Sequence, residues 1–327
     1  MERYSPGNFE SADPGERKLT LIAPALNGVT IGEPTAFQNL TMFPLIAPGD
    51  RRAPYHTLAE ALALGGIRVT EVSDAGSVEN LKVTNGLDRP VLLLDGEELV
   101  GAKQNRVFNL SILVPPSTEL VVPVSCVEAG RWRHSSAELQ RAGRAQYAAG
   151  RAERVEQVSD SLGRFGMRMS AQSEVWQHID AKRRRMGVAS DTGAMADIYQ
   201  RFEGEVDQYV NGLPICDGQV GAVFAIGGAV VGMDLFDAGA TCRALLETVV
   251  RSYALDAVES PRPARMPTAE AAAVFLKAVG AAPGDLFKAV GLGDDFRLRD
   301  AAVSGAALFA DGELVHLCAY PAAGSPG

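Results

Sequence analysis

The chain lacks the sequence patterns that identify the commonest catalytic and cofactor-binding proteins. It contains no GxSxG, Walker A, HExxH or GxGxxG pattern, so nothing indicates a serine-hydrolase turn, a phosphate loop, a zinc-protease helix or a dinucleotide-binding turn. Its four cysteines are scattered without a CxxC pair, which favours a reduced cytoplasmic protein over a disulfide scaffold. Because the cysteines and histidines fit no standard ligand spacing, we expect no metal site. No particular cofactor is indicated.

Excess basic charge and long apolar runs are also missing. The net charge of -9 gives no electrostatic reason to expect a nucleic-acid surface, and the basic stretches 141–154 and 182–185 are predicted to be solvated helix faces. The most apolar run, residues 220–233, is too short and too glycine-rich to span a bilayer, and the N-terminus shows no secretory signal. We therefore predict a cytoplasmic protein without membrane or nucleic-acid partners, and leave a homo-oligomer open.

What the chain does contain is typical of a folded protein with an α+β architecture. Residues 1–18 are predicted to be a flexible tail. Residues 19–132 carry short apolar runs broken by Gly, Pro and Asn, a pattern that indicates an antiparallel β-rich sandwich or partial barrel. Residues 133–212 have helical spacing and are predicted to pack on this unit or over its site.

The last third, residues 213–320, is predicted to be a separate α+β unit. Two similar segments, 221–233 and 306–318, each place a glycine turn between apolar runs, and each is predicted to be a β-hairpin. Between them, helices are predicted at 241–255 and from Thr268 to Gly280. We expect the two hairpins to join in one sheet with both helices covering one face.

The densest mixture of polar residue types lies between Asp95 and Trp132. Here the segments DGEELVGAKQNR and CVEAGRW flank strand-like apolar runs. Asp95-Gly96 is a turn signal that predicts a hairpin between VLLL and EELVG. Adjacent antiparallel strands bring alternate turns to one edge of a sheet, so the segments DGEE, QNR and CVEAGRW are predicted to meet there.

The acids and the thiol of this stretch are the candidate catalytic groups. Glu97 and Glu98 are neighbours on a strand and face opposite sides, so only one can serve a shared site; both could equally form a solvated hairpin edge. Glu98 or Glu128 is the candidate general base. Cys126 is a candidate nucleophile only if a nearby cation lowers its pKa, and is otherwise a small buried hydrophobe.

The amides, arginines and indole are the candidate substrate-binding groups, together with Glu97. Arg106 and Arg131 could bind an anion while Gln104 and Asn105 orient it. An internal network is nearly as well supported, with Arg106 paired to Glu98 or Glu128. Trp132 could form a cation–π or stacking pair with Arg131 at the strand end, or fill the core beneath the helices.

Several segments resemble a known family. DGEEL, GAKQNR and CVEAGRW, in this order, with FQNLTMFPL, SEVW, DTGA and MDLF, resemble the uncharacterised bacterial family named for its association with ARG and rhodanese-phosphatase-superfamily proteins. The likeness makes Asp234, within MDLF, a further site candidate, and the family's genomic company implies a stress or conflict system. Two functions fit the residues: an enzyme acting on a small anionic, phosphorylated or nucleotide-like substrate, or a non-catalytic ligand-sensing or protein-interaction module.

Overall fold

The computed structural model describes residues 21–49, 51, 53–73, 76–131, 136, 138–260 and 267–322. Within these ranges the chain forms eight helices and eighteen strands. The helices are α1 (Ile22–Leu26), α2 (Leu58–Ala63), α3 (Ala148–Phe165), α4 (Gln172–Arg185), α5 (Met195–Arg201), α6 (Glu203–Gly212), α7 (Gly239–Glu259) and α8 (Ala269–Ala281). None of these helices is long and apolar enough to cross a membrane.

The eighteen strands of the described ranges pair into three sheets. They are β1 (Thr30–Ile31), β2 (Thr35–Phe37), β3 (Leu40–Ile46), β4 (His56–Thr57), β5 (Ile67–Glu71), β6 (Asn80–Asn85), β7 (Val91–Leu93), β8 (Glu97–Gly101), β9 (Arg106–Phe108), β10 (Ile112–Val114), β11 (Thr118–Cys126), β12 (Leu139–Ala145), β13 (Gln219–Ile226), β14 (Ala229–Phe236), β15 (Gly284–Lys288), β16 (Asp294–Arg299), β17 (Val303–Ala310) and β18 (Glu313–Pro321).

The largest sheet has the order β1-β3-β13-β14-β18-β17-β16-β15, with β2 also paired to β3. Both predicted hairpins, β13–β14 and β17–β18, are present, and β14 pairs with β18 to join them. The outer neighbour of β13 is β3, which belongs to the segment predicted as the N-terminal unit. The predicted units at 19–132 and 213–320 therefore share one sheet, and their division into domains stays a prediction.

Helices α7 and α8 cover opposite faces of this sheet. Phe224 of β13 stacks on Tyr253 of α7, with ring centroids 4.0 Å apart. Its neighbour Val223 points to the other face of the sheet and packs in the same cluster as Phe275 of α8. The prediction that both helices lie on one face is wrong. Every residue of β13 is buried, and a strand that is apolar on both sides needs cover on both.

The N-terminal β-rich part is a curled sheet wrapped over a smaller one. Six strands, in the order β12-β8-β9-β11-β6-β5, enclose an apolar core against the three-stranded sheet β10-β7-β4. The edge strands β12 and β5 come into contact, so the sheet curls into a half-barrel. The α+β class and the partial barrel are thus confirmed.

Three local predictions are wrong. The turn at Asp95-Gly96 does not close a hairpin, because β7 pairs with β4 and β10 while β8 pairs with β9 and β12. Residues 139–145, predicted to be helical, form β12, since pairing with β8 overrides the helix propensity of Ala, Arg and Gln. The run LTLIAP, residues 19–24, is predicted to be a strand, but its residues 22–24 belong to α1, which packs on α8.

Candidate functional site

Two of the three polar segments, QNR and CVEAGRW, meet where β9 and β11 lie side by side. Leu99 pairs with Arg106, and Arg106 pairs with Cys126. Gln104, in the turn before β9, donates from Nε2 to the carbonyl oxygen of Glu128 at 2.7 Å. QNR and CVEAGRW therefore lie at the same end of these strands, whereas the Asp95-Gly96 turn lies beside Phe108 at the other end of β9; that DGEE shares a site with them stays a prediction.

Glu128 and Arg131 close a clasp over the turn between β8 and β9. Glu128 accepts hydrogen bonds from Arg131 Nε at 3.0 Å, from Arg131 Nη2 at 2.7 Å and from the Asn105 backbone N–H at 3.1 Å. Arg131 also donates to the Ala102 carbonyl at 2.8 Å and to Asn105 Oδ1 at 3.1 Å. Burial opposes ionisation of Glu128, but the bonds from Arg131 and Asn105 outweigh it and lower its pKa. Glu128 is therefore an ionised carboxylate bound to protein donors.

Arg106, Gln104 and Cys126 form an internal cluster beside this clasp. Arg106 is completely buried and donates from Nη1 to Gln104 Oε1 at 3.3 Å and to Cys126 Sγ at 3.2 Å. Its Nη2 lies 4.0 Å from the Glu71 carboxylate, so among the described residues it pairs with Glu71 and with neither Glu98 nor Glu128. Burial raises the pKa of the Cys126 thiol, and Arg106 offsets this only in part. A protonated, buried thiol is a poor nucleophile.

Glu97 and Glu98 point to different partners, as neighbours on a strand should. Glu97 pairs with Arg141 of β12, which also donates to Thr248 of α7 at 2.6 Å. Glu98 accepts from Arg144 Nε at 2.5 Å. Both glutamates are completely buried; burial raises the pKa of each, and the neighbouring arginine offsets this only in part. They are internal groups, not a solvated hairpin edge.

Arg144 connects Glu98 to a cavity of about 460 Å³, called here the Arg144 cavity, between β12, α5, α6 and α7. Its guanidinium carbon lies 5.1 Å from the centre of the Tyr199 ring. Gln200, Glu203, Glu247 and Arg251 also line the cavity. Among the residues that the structure describes, none accepts a hydrogen bond from Nη1 or Nη2 of Arg144.

A second buried charge cluster lies between α3 and the large sheet. Arg151 donates to both oxygens of Asp234, at 2.6 and 3.2 Å, and to Asp95 at 3.1 Å. Arg154 donates to Asp95 at 2.7 Å, and His316 Nε2 lies 3.2 Å from Asp234. Burial opposes ionisation of Asp95 and Asp234, but the arginines outweigh it and lower the pKa of both. This cluster ties the turn after β7 to α3 and β14.

The arginines that bind Glu97, Glu98, Asp95 and Asp234 are not among the site residues predicted from the sequence. The stretch 141–154 was predicted to be a solvated face, yet Arg151 and Arg154 are buried and Arg141 and Arg144 are largely so. A signal was present, because Arg151 lies on the same helical stripe as Val155, Val158 and Leu162. Lys182 is buried as well, between Asp256 and Glu259, so the second basic stretch is not wholly solvated either.

Two further expectations concern the role of Trp132 and the presence of a metal site. Trp132 lies outside the described residues, so its role stays a prediction. Over the ranges that the structure describes, no three His, Cys, Asp or Glu side chains are placed to hold a metal ion.

Comparison with protein families gives one match. Residues 28–320 match the ARG and rhodanese-phosphatase-superfamily-associated protein domain. Comparison with curated proteins and with solved structures gives no match. The family match covers nearly the whole chain, so the protein belongs to this family.

Proposed function

We propose that this member of the ARG and rhodanese-phosphatase-superfamily-associated family binds a small anionic ligand, phosphorylated or nucleotide-like, in the Arg144 cavity. The observation that carries the proposal is that Arg144 lines the cavity with its guanidinium group fixed in position. Glu98 holds its Nε at 2.5 Å and Tyr199 lies under its plane. A guanidinium fixed in this way offers its Nη1 and Nη2 as a fork for a phosphate or carboxylate.

The remaining lining favours a ligand that carries hydroxyl groups as well as an anion. Arg251 is held by Asp207 and Glu247, and Glu203 adds a carboxylate. A purely anionic ligand would be repelled by these acids, whereas ribose or sugar hydroxyls could donate to them. The volume of about 460 Å³ falls within the range of small-molecule sites. A nucleoside or sugar phosphate therefore fits best.

The predicted substrate-binding arginines, Arg106 and Arg131, are assigned a supporting role in this proposal. Their guanidinium groups bond to protein acceptors, and a ligand would have to displace those acceptors at the cost of a buried charge. The clasp that Arg131 forms with Glu128 fixes the turn after β8, and β8 carries Glu98.

The test is ligand binding by matched arginine variants. Wild-type protein should bind a nucleoside monophosphate or a sugar phosphate, but not the unphosphorylated nucleoside or sugar, in calorimetry. Arg144→Gln should weaken binding at least about tenfold, since hydrogen bonds to charged groups contribute roughly 1.5–3 kcal/mol.

Arg141→Gln is the matched control, because Arg141 lies on the same strand and pairs with the equally buried Glu97, but does not line the cavity. Equal loss of binding in both variants, or no phosphorylated ligand bound by the wild type, would contradict the proposal.

One observation favours an enzyme over a sensor. Burial raises the pKa of Glu98, and its Oε1 has no hydrogen-bond partner among the described residues, which suits a general acid or base. Glu98→Gln should then abolish turnover of the bound phosphoester, and it should also weaken binding because Glu98 fixes Arg144. A wild type that binds without turnover supports the sensing module.

We also propose a wider setting for this ligand-binding role. The family description names association with rhodanese-phosphatase-superfamily proteins, which agrees with a phosphorylated ligand. A cytoplasmic protein of a bacterial stress or conflict system is the corresponding proposal.

A further inference from the structure

A second groove, separate from the Arg144 cavity, lies between the C-terminal end of α3 and the strands β15 and β16. Its volume is about 210 Å³, and it is lined by Arg164, Arg297 and Arg299 together with Asp160 and Asp285. We propose that this Arg297 groove binds the phosphate group of inorganic phosphate or of a small phosphate monoester. It shares no lining residue with the Arg144 cavity.

Arg297 is the buried arginine among the residues that line the groove. It is 3% exposed, and its position is set by Asp295, which lies 2.8 Å from Nε and accepts from Nη2 at 3.0 Å. Its Nη1 is buried and has no hydrogen-bond partner in the part of the chain that the structure describes. Buried donors are almost always satisfied, so a charged donor lining a groove in this state points to an anionic acceptor from outside the chain.

Two more guanidinium groups are placed at the mouth of the groove. Arg164, in the last turn of α3, is exposed and has no ion pair among the described residues. Arg299 donates to Asp160 at 2.6 Å, but both side chains are about half exposed. An ion pair at the surface is weak and screened by solvent, so Arg299 can turn to a bound anion.

The charge and size of the groove select the ligand. The lining holds three arginines and two aspartates, and Asp295 compensates the charge of the buried Arg297. Asp285 is exposed, so its repulsion of an anion is screened. The volume lies below the usual range for drug-sized ligands, which favours a phosphate group over a whole nucleotide. Several guanidinium forks around one small groove suit a tetrahedral oxyanion with several acceptor oxygens.

The experiment titrates the full chain with inorganic phosphate and, separately, with O-phosphoserine, followed by ³¹P NMR and calorimetry. Arg297→Gln is avoided, because Asp295 would lose a buried partner and the fold could fail. Arg164→Gln removes one exposed charge. Gly163→Glu adds a carboxylate at a helical position where a Cβ meets nothing within 4 Å. Arg184→Gln, which removes an exposed charge on α4, is the control.

The wild type should bind at least one probe. Arg164→Gln and Gly163→Glu should weaken that binding by about tenfold or more, while Arg184→Gln leaves it unchanged. Binding of phosphate alone identifies the free ion as the ligand, and binding of O-phosphoserine alone identifies a monoester. No binding of either probe, or equal binding by all variants, overturns the proposal.

Discussion

Buried carboxylates in this protein differ in ionisation because they differ in the number of donors they meet. Glu128 accepts three hydrogen bonds and has a lowered pKa. Glu97 and Glu98 each meet one arginine and keep one oxygen without a hydrogen-bond partner among the described residues, and burial raises the pKa of both. The loss of hydration therefore decides the direction of the pKa shift where a buried carboxylate accepts few hydrogen bonds.

Asp234→Asn should destabilise the protein and change how stability depends on pH. Removing this partner of the buried Arg151 should cost roughly 3–5 kcal/mol of unfolding free energy near neutral pH. The folded pKa of Asp234 lies below its usual value, so its contribution is present above the ordinary carboxyl pKa of about 3.9 and is lost as the pH falls through the folded pKa. Urea unfolding at several pH values measures both effects.

The difference between wild type and Asp234→Asn should accordingly narrow as the solution is acidified. Asp294→Asn is the control, because Asp294 forms a half-exposed pair with Lys288 at 3.5 Å, and such pairs contribute at most about 1 kcal/mol. A pH-independent difference for Asp234→Asn would contradict the assigned pKa shift.

Among the elements, the turn at Asp95-Gly96 depends most on one residue type. Gly96 has a φ of +76°, and a Cβ there would lie 2.9 Å from Arg154 Nη2 and 3.0 Å from the Arg151 side chain. These arginines cannot move away cheaply, because Asp95 and Asp234 hold them. The turn and α3 are therefore packed too closely for any side chain at this position.

Gly96→Ala should lower the unfolding free energy more than Gly65→Ala. Gly65 has a similar φ of +66°, but a Cβ there meets nothing within 4 Å. Gly65→Ala should lower the unfolding free energy only by the cost of left-handed backbone strain, about 1–2 kcal/mol. Gly96→Ala should lower it by the same strain and, in addition, by the cost of displacing the two arginines. Urea denaturation of both variants measures the difference, and equal losses would show that the arginines adapt.

At the scale of the whole molecule, the large sheet joins distant parts of the chain. β3 pairs along the whole outer edge of β13, and Phe43 and Leu45 are buried with Val223 and Phe275 in one cluster. The C-terminal segment therefore takes part of its core from residues almost two hundred positions earlier.

A fragment of residues 213–320 should not unfold cooperatively when expressed alone. It would lack β3, so β13 would become an exposed edge and its cluster would lose buried apolar surface. Circular dichroism melts of the fragment, compared with the full chain, measure this. A cooperative melt of the fragment would instead support 213–320 as an independent domain.

The sequence predicted the local pieces that depend on residues close together in the chain. The hairpins β13–β14 and β17–β18 follow from glycine turns between apolar runs, and α8 follows from its cap at Thr268, which accepts from the Ala271 N–H. The meeting of QNR with CVEAGRW was predictable too, because Arg106 and Cys126 lie on paired antiparallel strands.

Partners from distant segments were decided only by the tertiary structure. No local pattern shows that Arg144 would meet Glu98, that Arg151 would lie between Asp95 and Asp234, or that β3 would pair with β13. A buried charge is tolerated only beside an opposite one, and a buried strand edge only beside another strand. The packing of the sheets decides which acid pairs with each buried arginine and which strand pairs with each buried edge. That packing is a property of the whole chain.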